Sequence, residues 1–446
     1  MSRYLTGAFA PLKREHTEHA LSVEGRLPSG LDGLFTQIGP APAGQPRRAF
    51  DGSYPWFMQD GLVCGVRLRD GRAAWFRNRW IRSRRVARAL GETPAPGPRH
   101  FPIDTVNTNL VAHHGVLLAL VESGCLPVQL SETLESIRYT DLNGQLPRGF
   151  AAHPKVDPAT GELHALAYSP LRRWAEHVVV AADGHVNLAG RVDLGGRPLL
   201  HDIGLTDRSV VFFDLPVRFD VRRAAAHAFP YRWHGRHRSR IGLLPRPGGP
   251  VRWLAIEPCF VYHIVGAEEA PDGGLTVHAL RYASLFDDGT DPLARPATLW
   301  EWHAEPGADH AVARPLDDLP HELPRTDPRR ECRPRRLHYG ITHDSSREQS
   351  GLLRFDRRSG RGEVRQLGPG VLAGEAVFVP RAPDGAESDG WLLYFQTDLA
   401  AGVTALVVLD AADLTGAPVA TVRLPVRVPI GAHSSWIRSD EWEAMA

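Results

Sequence analysis

Short apolar runs, each closed by Gly, Pro, Asp or Asn, recur along the whole chain. "GVLLALVESG", "ELHALAYSP", "SVVFFDLPV", "GGLTVHALRYA", "WLLYFQTDL" and "TALVVLDAADL" are examples, rich in β-branched and aromatic residues. Runs of that length and composition predict β-strands. Between several of them stand "RDGR" (69–72), "ADGH" (182–185), "PDGG" (271–274) and "RSGR" (358–361). Such tetrapeptides turn the chain tightly into a following antiparallel strand, because Gly accepts the φ > 0 that the turn needs. Helical periodicity is scarce. The stretch at about 217–240, "VRFDVRRAAAHAFPYRWHGRHRSR", predicts a helix that Pro230 interrupts. Many short antiparallel strands must protect their sheet edges, by radial arrangement in a propeller or by face-to-face packing. The pattern therefore predicts an all-β fold, either a propeller or stacked sandwiches. No linker rich in Pro, Gly or Ser divides the chain, so residues 1–446 are expected to form a single domain.

Composition narrows the function classes. The formal net charge of +1 over 446 residues argues against bulk nucleic-acid binding, which needs a clear basic excess. Cys64, Cys125, Cys259 and Cys332 are scattered, with no C-x-x-C pair, and read as reduced thiols. The opening "MSRYLTGAFAPLKREHTEHALSV" has no apolar core of signal-peptide length, and no run approaches the length of a membrane span. A cytoplasmic protein is expected.

Four of the 21 histidines stand in a distinctive context. His153 lies in "FAAHPKVD", His201 in "LLHDIGLT", His263 closes "EPCFVYH", and His433 lies in "VPIGAHSSW". Each falls at the edge of a strand-like run beside a rigid or small neighbour. Separations of 48, 62 and 170 residues exclude a local ligand motif. The four meet only if strands from different parts of the chain converge on one axis, as the innermost strands of a propeller do.

These segments, taken in order with "GRLPSGLDGLFTQIGPAP" (25–42), "WFMQDGLVCGVRLRDGRAAWFRNRW" (56–80), "NTNLVAHHGVLLALVESGCLP" (107–127), "HELPRTDPR" (321–329) and "GEAVFVPRAPDGAESDGWLL" (374–393), resemble the carotenoid cleavage oxygenases almost end to end. That non-haem iron family splits carbon–carbon double bonds in carotenoids, apocarotenoids and stilbene-like compounds. The resemblance implies a seven-bladed β-propeller, capped by loops and short helices, with Fe(II) on its axis. It implies that His153, His201, His263 and His433 are the iron ligands. It further implies that Glu122, in "LLALVESG", Glu322, in "HELPR", and Glu375, in "GEAVFVP", stand behind them. Imidazole suits iron, and a carboxylate on the free ring nitrogen fixes the tautomer and orientation of a ligating histidine. Three glutamates for four histidines leave one ring to find another acceptor. Asp202, beside His201, reads as a turn or capping residue. The family usually has Asn-Ala-x-Glu after the third histidine. Here Gly266-Ala267-Glu268-Glu269 lacks the Asn, which puts a local hydrogen bond in doubt.

The implied reaction is oxidative cleavage of a small apolar alkene by O2, giving two carbonyl products, with no obligate protein partner. Candidate linings of an apolar substrate tunnel are Phe57, Val121, Phe150, Phe260 and Tyr262. Stilbene-cleaving members resemble one another in a Lys directly before the first of the glutamates. Val121 holds that position here, which favours a non-phenolic polyene such as an apocarotenoid. The Arg-rich segment 217–247 is a candidate tunnel entrance that rests on a membrane surface or, equally, on the propeller rim. Two other classes remain open: a non-enzymatic interaction platform, and a hydrolase or isomerase using the metal as a Lewis acid.

Overall fold

The structure, a computed structural model, describes residues 2–100, 104–146, 148–287, 292–344 and 347–442. Its antiparallel sheets are the seven blades of a β-propeller, with a two-stranded hairpin beside them. Blade 1 is built on Gly33–Pro40, Gly61–Arg69 and Arg72–Trp80. The inner strands of blades 2 to 7 are Asn109–His113, Lys155–Val156, Ile203–Leu205, Phe260–Glu269, Glu322–Arg325 and Val371–Ala373.

The ring is closed twice. The C-terminal strand His433–Arg438 becomes the innermost strand of blade 1, with Ile38 opposite His433 and Gly33 opposite Arg438. Of the two strands nearest the N-terminus, His16–Glu18 edges blade 1 against Arg72–Trp80, and Val23–Gly25 joins the outer edge of blade 7 against Ala420–Arg423. Each end of the chain thus locks a neighbouring blade, leaving no open seam in the ring.

All four tetrapeptide turns fall between paired antiparallel strands; Arg69 faces Arg72 across Asp70 and Gly71, both at positive φ. Many strands are buried on both faces. Every residue of Gly33–Pro40 and of Ser209–Asp214 is buried. A strand sandwiched between two blades has no solvent face, so its sequence is a continuous apolar run rather than an alternation.

The expected helix at 217–240 is not there. Val217–Phe219 pairs with Tyr231–Trp233 as a hairpin, and the only helix between them is Val221–Ala225. Asp220 caps that helix by accepting from the N–H groups of Arg222 and Arg223. One turn later His227 takes a left-handed φ of 58° and Pro230 follows, so the helix cannot propagate. The aromatic and β-branched flanks gain more as cross-strand pairs than as helix faces. Among the described residues no helix is long and apolar enough to cross a membrane. The four cysteines are free and buried.

Candidate metal centre

Each blade supplies one side chain to the axis. His433 comes from blade 1, His153 lies two residues before the inner strand of blade 3, His201 two residues before that of blade 4, and His263 within that of blade 5. Glu322 begins the inner strand of blade 6, and Glu375 follows that of blade 7. Glu122 follows Val116–Leu120, the second strand of blade 2. Local chemistry fixes each position. Ala152 O, just before His153, accepts from Asn109 Nδ2 at 3.0 Å. The pairing register of Phe260–Glu269 shifts on both sides of Ile264, a bulged backbone that re-aims His263. Gly431 lets the chain before His433 pass beside Gln37, where a Cβ would lie 2.6 Å from Gln37 Cγ.

The four imidazoles gather. Their candidate ligand atoms all lie within 4.8 Å of one another, and ring centroids are 4.4 Å apart for His153 and His201 and 5.0 Å for His263 and His433. Three rings carry a carboxylate on Nδ1. His201 Nδ1 lies 2.5 Å from Glu122 Oε1, in a contact that is close but not aligned for a straight hydrogen bond. His263 Nδ1 lies 2.5 Å from Glu322 Oε2, and His433 Nδ1 lies 3.2 Å from Glu375 Oε1.

This arrangement decides where the protons sit. A proton on Nδ1, facing a carboxylate, leaves Nε2 of a neutral ring as a lone pair. His201 Nε2 and His263 Nε2 nevertheless face each other at 3.2 Å. Two lone pairs at that separation repel unless a cation lies with them. His153 Nε2 is likewise buried with no protein partner. Convergent lone pairs, an orphaned buried nitrogen and carboxylates behind the rings fit a divalent metal ion.

The outer oxygens of the glutamates are held too. Tyr168 OH donates to Glu122 Oε2 at 2.6 Å, and Tyr282 OH donates to Glu322 Oε1 at 2.8 Å. Glu375 Oε2 accepts from Arg325 Nη2 at 2.8 Å and from Ser434 N at 2.6 Å. Burial acts to raise the Glu375 carboxyl, but the Arg325 charge and the His433 ring outweigh it and hold it at about 2. Burial depresses His153 well below the usual imidazole range, and neighbouring rings add to the effect. At His263 the Glu322 carboxylate outweighs burial and raises the ring. Asp202 is fully engaged elsewhere: it accepts from Ile203 N at 2.8 Å and Ile264 N at 2.9 Å, and pairs with Lys155 Nζ at 2.9 Å. It ties blades 3, 4 and 5 together and serves as a cap.

Residues 9–438 match the family described as Retinal pigment epithelial membrane protein. A carotenoid cleavage oxygenase of Mycobacterium tuberculosis is 36% identical, with 97% of each chain covered. A crystal structure of Pseudomonas brassicacearum lignostilbene dioxygenase superposes with a TM-score of 0.88 at 26% identity, covering 98% of this chain and 99% of that one. Cobalt-substituted Synechocystis ACO gives 0.84 at 25% identity, covering 96% and 97%. The chain belongs to the carotenoid cleavage oxygenase family. That family depends on iron, and the four-histidine cluster of this member is able to bind a metal ion.

In this carotenoid cleavage oxygenase relative a cavity of about 470 Å³ reaches His201, His263 and His433. Of the five candidate lining residues, Phe57, Val121 and Tyr262 are on its wall. Phe150 and Phe260 are not: both are almost fully buried in interblade core clusters. Sequence position placed them near ligand loops, but Phe260 packs edge-on behind Tyr262, with ring centroids 4.8 Å apart, and Phe150 packs into the core cluster with Leu118 and Leu120. From the segment 217–247, Phe229, Pro230 and Tyr231 reach the wall. At Gly266, where the family pattern has Asn, a Cβ would lie 2.0 Å from Arg335 Nη1, and that guanidinium donates to Val265 O at 3.2 Å. An arginine from a neighbouring blade fills the space of the missing side chain. Sequence reasoning missed Tyr168, Tyr282 and Arg325. Arg325 stands in the quoted "HELPR", but only the fold shows its partner.

Proposed function

We propose that the chain is a non-haem Fe(II) oxygenase that adds both atoms of O2 across a carbon–carbon double bond of an apolar conjugated substrate, an apocarotenoid in preference to a 4-hydroxystilbene, to give two aldehyde or ketone products. The observation that carries this reading is the convergence of four imidazoles on one point beside a largely apolar cavity, with the Nε2 atoms of His201 and His263 facing each other and that of His153 unpartnered. His153, His201, His263 and His433 would hold the metal. A ferrous ion there supplies activation of O2, which closed-shell side chains cannot provide. Glu122, Glu322 and Glu375 keep the Nδ1 protons of three rings in place, so that Nε2 stays available. Phe57, Phe229 and Tyr262 give the cavity aromatic walls against which a flat polyene lies.

Support for the apocarotenoid comes from Val121. It lines the cavity directly before Glu122, and no lysine is on the wall; Lys155 is committed to Asp202. A half-buried valine side chain offers a phenolate neither a charge nor a donor. Iron content per chain, and product aldehydes from apocarotenals and stilbenes in air and under argon, test the reading. Aldehydes in air alone, with iron bound, support it. Turnover under argon with zinc favours Lewis-acid chemistry, and silence without bound metal favours an interaction platform. Val121→Lys is expected to shift preference toward 4-hydroxystilbenes by about tenfold, the worth of one charge-assisted hydrogen bond. An unchanged substrate ratio removes the argument from Val121.

Contact with a membrane surface is part of the same proposal. Phe50, 76% exposed, stacks on His227 of the segment that also contributes Phe229 to the cavity, and Val221, 67% exposed, directly precedes Arg222 and Arg223 in that segment. Apolar tips among arginines suit an anionic bilayer surface. Cosedimentation with phosphatidylglycerol vesicles, lost in Phe50→Ser/Val221→Ser, is the expected result; equal sedimentation of the variant argues against it.

A further inference from the structure

His433 is unlike the other three candidate ligands in how it is delivered. Its strand, the last among the described residues, closes the ring by pairing with Gly33–Pro40 from near the other end of the chain. Its carboxylate contact, 3.2 Å, is longer than the 2.5 Å contacts of His201 and His263. The next residue is held tightly instead. Ser434 N donates to Glu375 Oε2 at 2.6 Å, and Ser434 O accepts from Arg325 Nη2 at 2.5 Å. The same Nη2 donates to Glu375 Oε2 at 2.8 Å. Arg325 of blade 6, Glu375 of blade 7 and the Ser434 backbone of blade 1 therefore form a clasp across the seam of the ring.

The backbone of blade 6 is shaped for this. Residues three apart in a regular strand face opposite sides. Between Glu322 and Arg325 the pairing register breaks, with Leu323 at a left-handed φ of 56° followed by Pro324. A bulge of that kind turns both side chains toward the axis. Glu322 then serves His263 on one side, and Arg325 serves the clasp on the other.

We propose that Arg325 is a positioning residue, which sets the His433 ring for metal binding by gripping Glu375 and the Ser434 backbone. The proposal rests on the four histidines being the metal site. Its role is to orient one ligand, and it does not touch substrate or metal itself.

The test uses cobalt(II) chloride as the metal and needs no turnover. Dissociation constants by chelator competition, and melting temperatures of apo and cobalt-loaded protein, are measured for the wild type, Arg325→Met, Arg325→Lys and His433→Ala. Arg325→Met is expected to weaken cobalt binding by about 10–100-fold, the range for partners behind metal ligands. Arg325→Lys recovers part of the loss. The rise in melting temperature on cobalt binding shrinks accordingly, because a ligand stabilises in proportion to the logarithm of its affinity. In the His433→Ala background Arg325→Met changes affinity no further, since the two act through one ring. An unchanged dissociation constant, with apo and loaded melting temperatures falling equally, overturns the proposal by reducing Arg325 to a structural clasp. Full additivity with His433→Ala overturns it too. A wild-type chain that takes up no cobalt overturns the metal-site reading, and this proposal with it.

Discussion

Two kinds of buried histidine occur in this molecule. In blade 3, His164 Nδ1 lies 3.0 Å from His177 Nε2, and Arg246 Nη2 lies 3.0 Å from His164 Nε2. In blade 6, His321 Nε2 lies 3.0 Å from His338 Nε2, while His321 Nδ1 faces Leu319 O at 2.9 Å. These contacts are as short as the 3.2 Å between His201 and His263 on the axis. The difference lies in the far side of each ring. Arg246 must donate to His164, so the His164 proton sits on the other nitrogen and points at His177. Leu319 O must accept from His321, so His338 is the donor of its pair. Each blade pair is a one-way hydrogen-bond chain. On the axis, a carboxylate lies on the Nδ1 side of both rings, hydrogen-bonded to His263 and close beside His201, so the Nδ1 proton of each neutral ring faces outward and the facing nitrogens are both acceptors. Close histidines alone do not mark a candidate metal site; facing nitrogens whose outer partners are carboxylates do.

The sharpest way to break that distinction is to remove one ring of each kind. His263→Ala is expected to abolish stoichiometric iron binding and lower cleavage by well over the roughly 10–100-fold typical of outer-partner changes. His338→Ala is expected to leave one iron per chain. Elemental analysis of both proteins checks this, and iron retained in His263→Ala would place the metal elsewhere.

A smaller effect separates the carboxylates. Glu322 meets a ring on the axis, whereas Glu301 meets His278 within blade 5, at 2.9 Å. Glu322→Gln can still accept one hydrogen bond but loses its charge, and about 10–100-fold weaker iron binding is expected. Glu301→Gln should leave the iron dissociation constant unchanged. Smaller again is Tyr282→Phe, which deletes the phenol on the outer oxygen of Glu322 while the His263 contact stays. A few-fold weakening is expected, measured by the same chelator competition.

How much of this was legible in the sequence follows from the same contrast. The strands and their tight turns could be read because each is specified within four to ten residues. Of the candidate ligands, His153 carries the clearest local signal, with Pro154 beside it, whereas His263 sits inside the strand Phe260–Glu269 with neither Pro nor Gly adjacent, and the resemblance to a family had to supply its role. Ordinary pattern reasoning could not choose a propeller over stacked sandwiches, since blade-to-blade contact is made by double-buried strands with no alternation; resemblance to a family made that choice. The helix expected at 217–240 failed where two short strands gained cross-strand partners invisible in sequence. Phe150 and Phe260 failed because nearness along the chain does not say how far behind the cavity wall a ring packs. Arg325 lay in plain view, yet its function depends on a bulge at Leu323 and on strands about 50 and 109 residues away.

The last expected effect concerns pH and belongs to the blade pair. Burial lowers His164 to about 4, with Arg246 adding to the effect and Glu162 and Asp157 opposing it. Burial lowers His177 to about 3, with His164 and Arg246 adding. Both folded values lie below the unfolded one, about 6.5. Above pH 6.5 both rings are neutral in either state, and their contribution is fully present. As pH falls from 6.5 toward 4 the unfolded chain binds protons that the folded chain refuses, so stability declines. The loss approaches about 1.4 kcal/mol per pH unit for each ring, which amounts to a few degrees of melting temperature in a chain of this size. Melting curves of the metal-free wild type and of His164→Gln/His177→Gln between pH 7 and 4.5 isolate this pair from the axial rings. The double variant should show the shallower slope; parallel slopes would mean that the blade histidines already exchange protons with solvent, and the contrast with the axis would then rest on geometry alone.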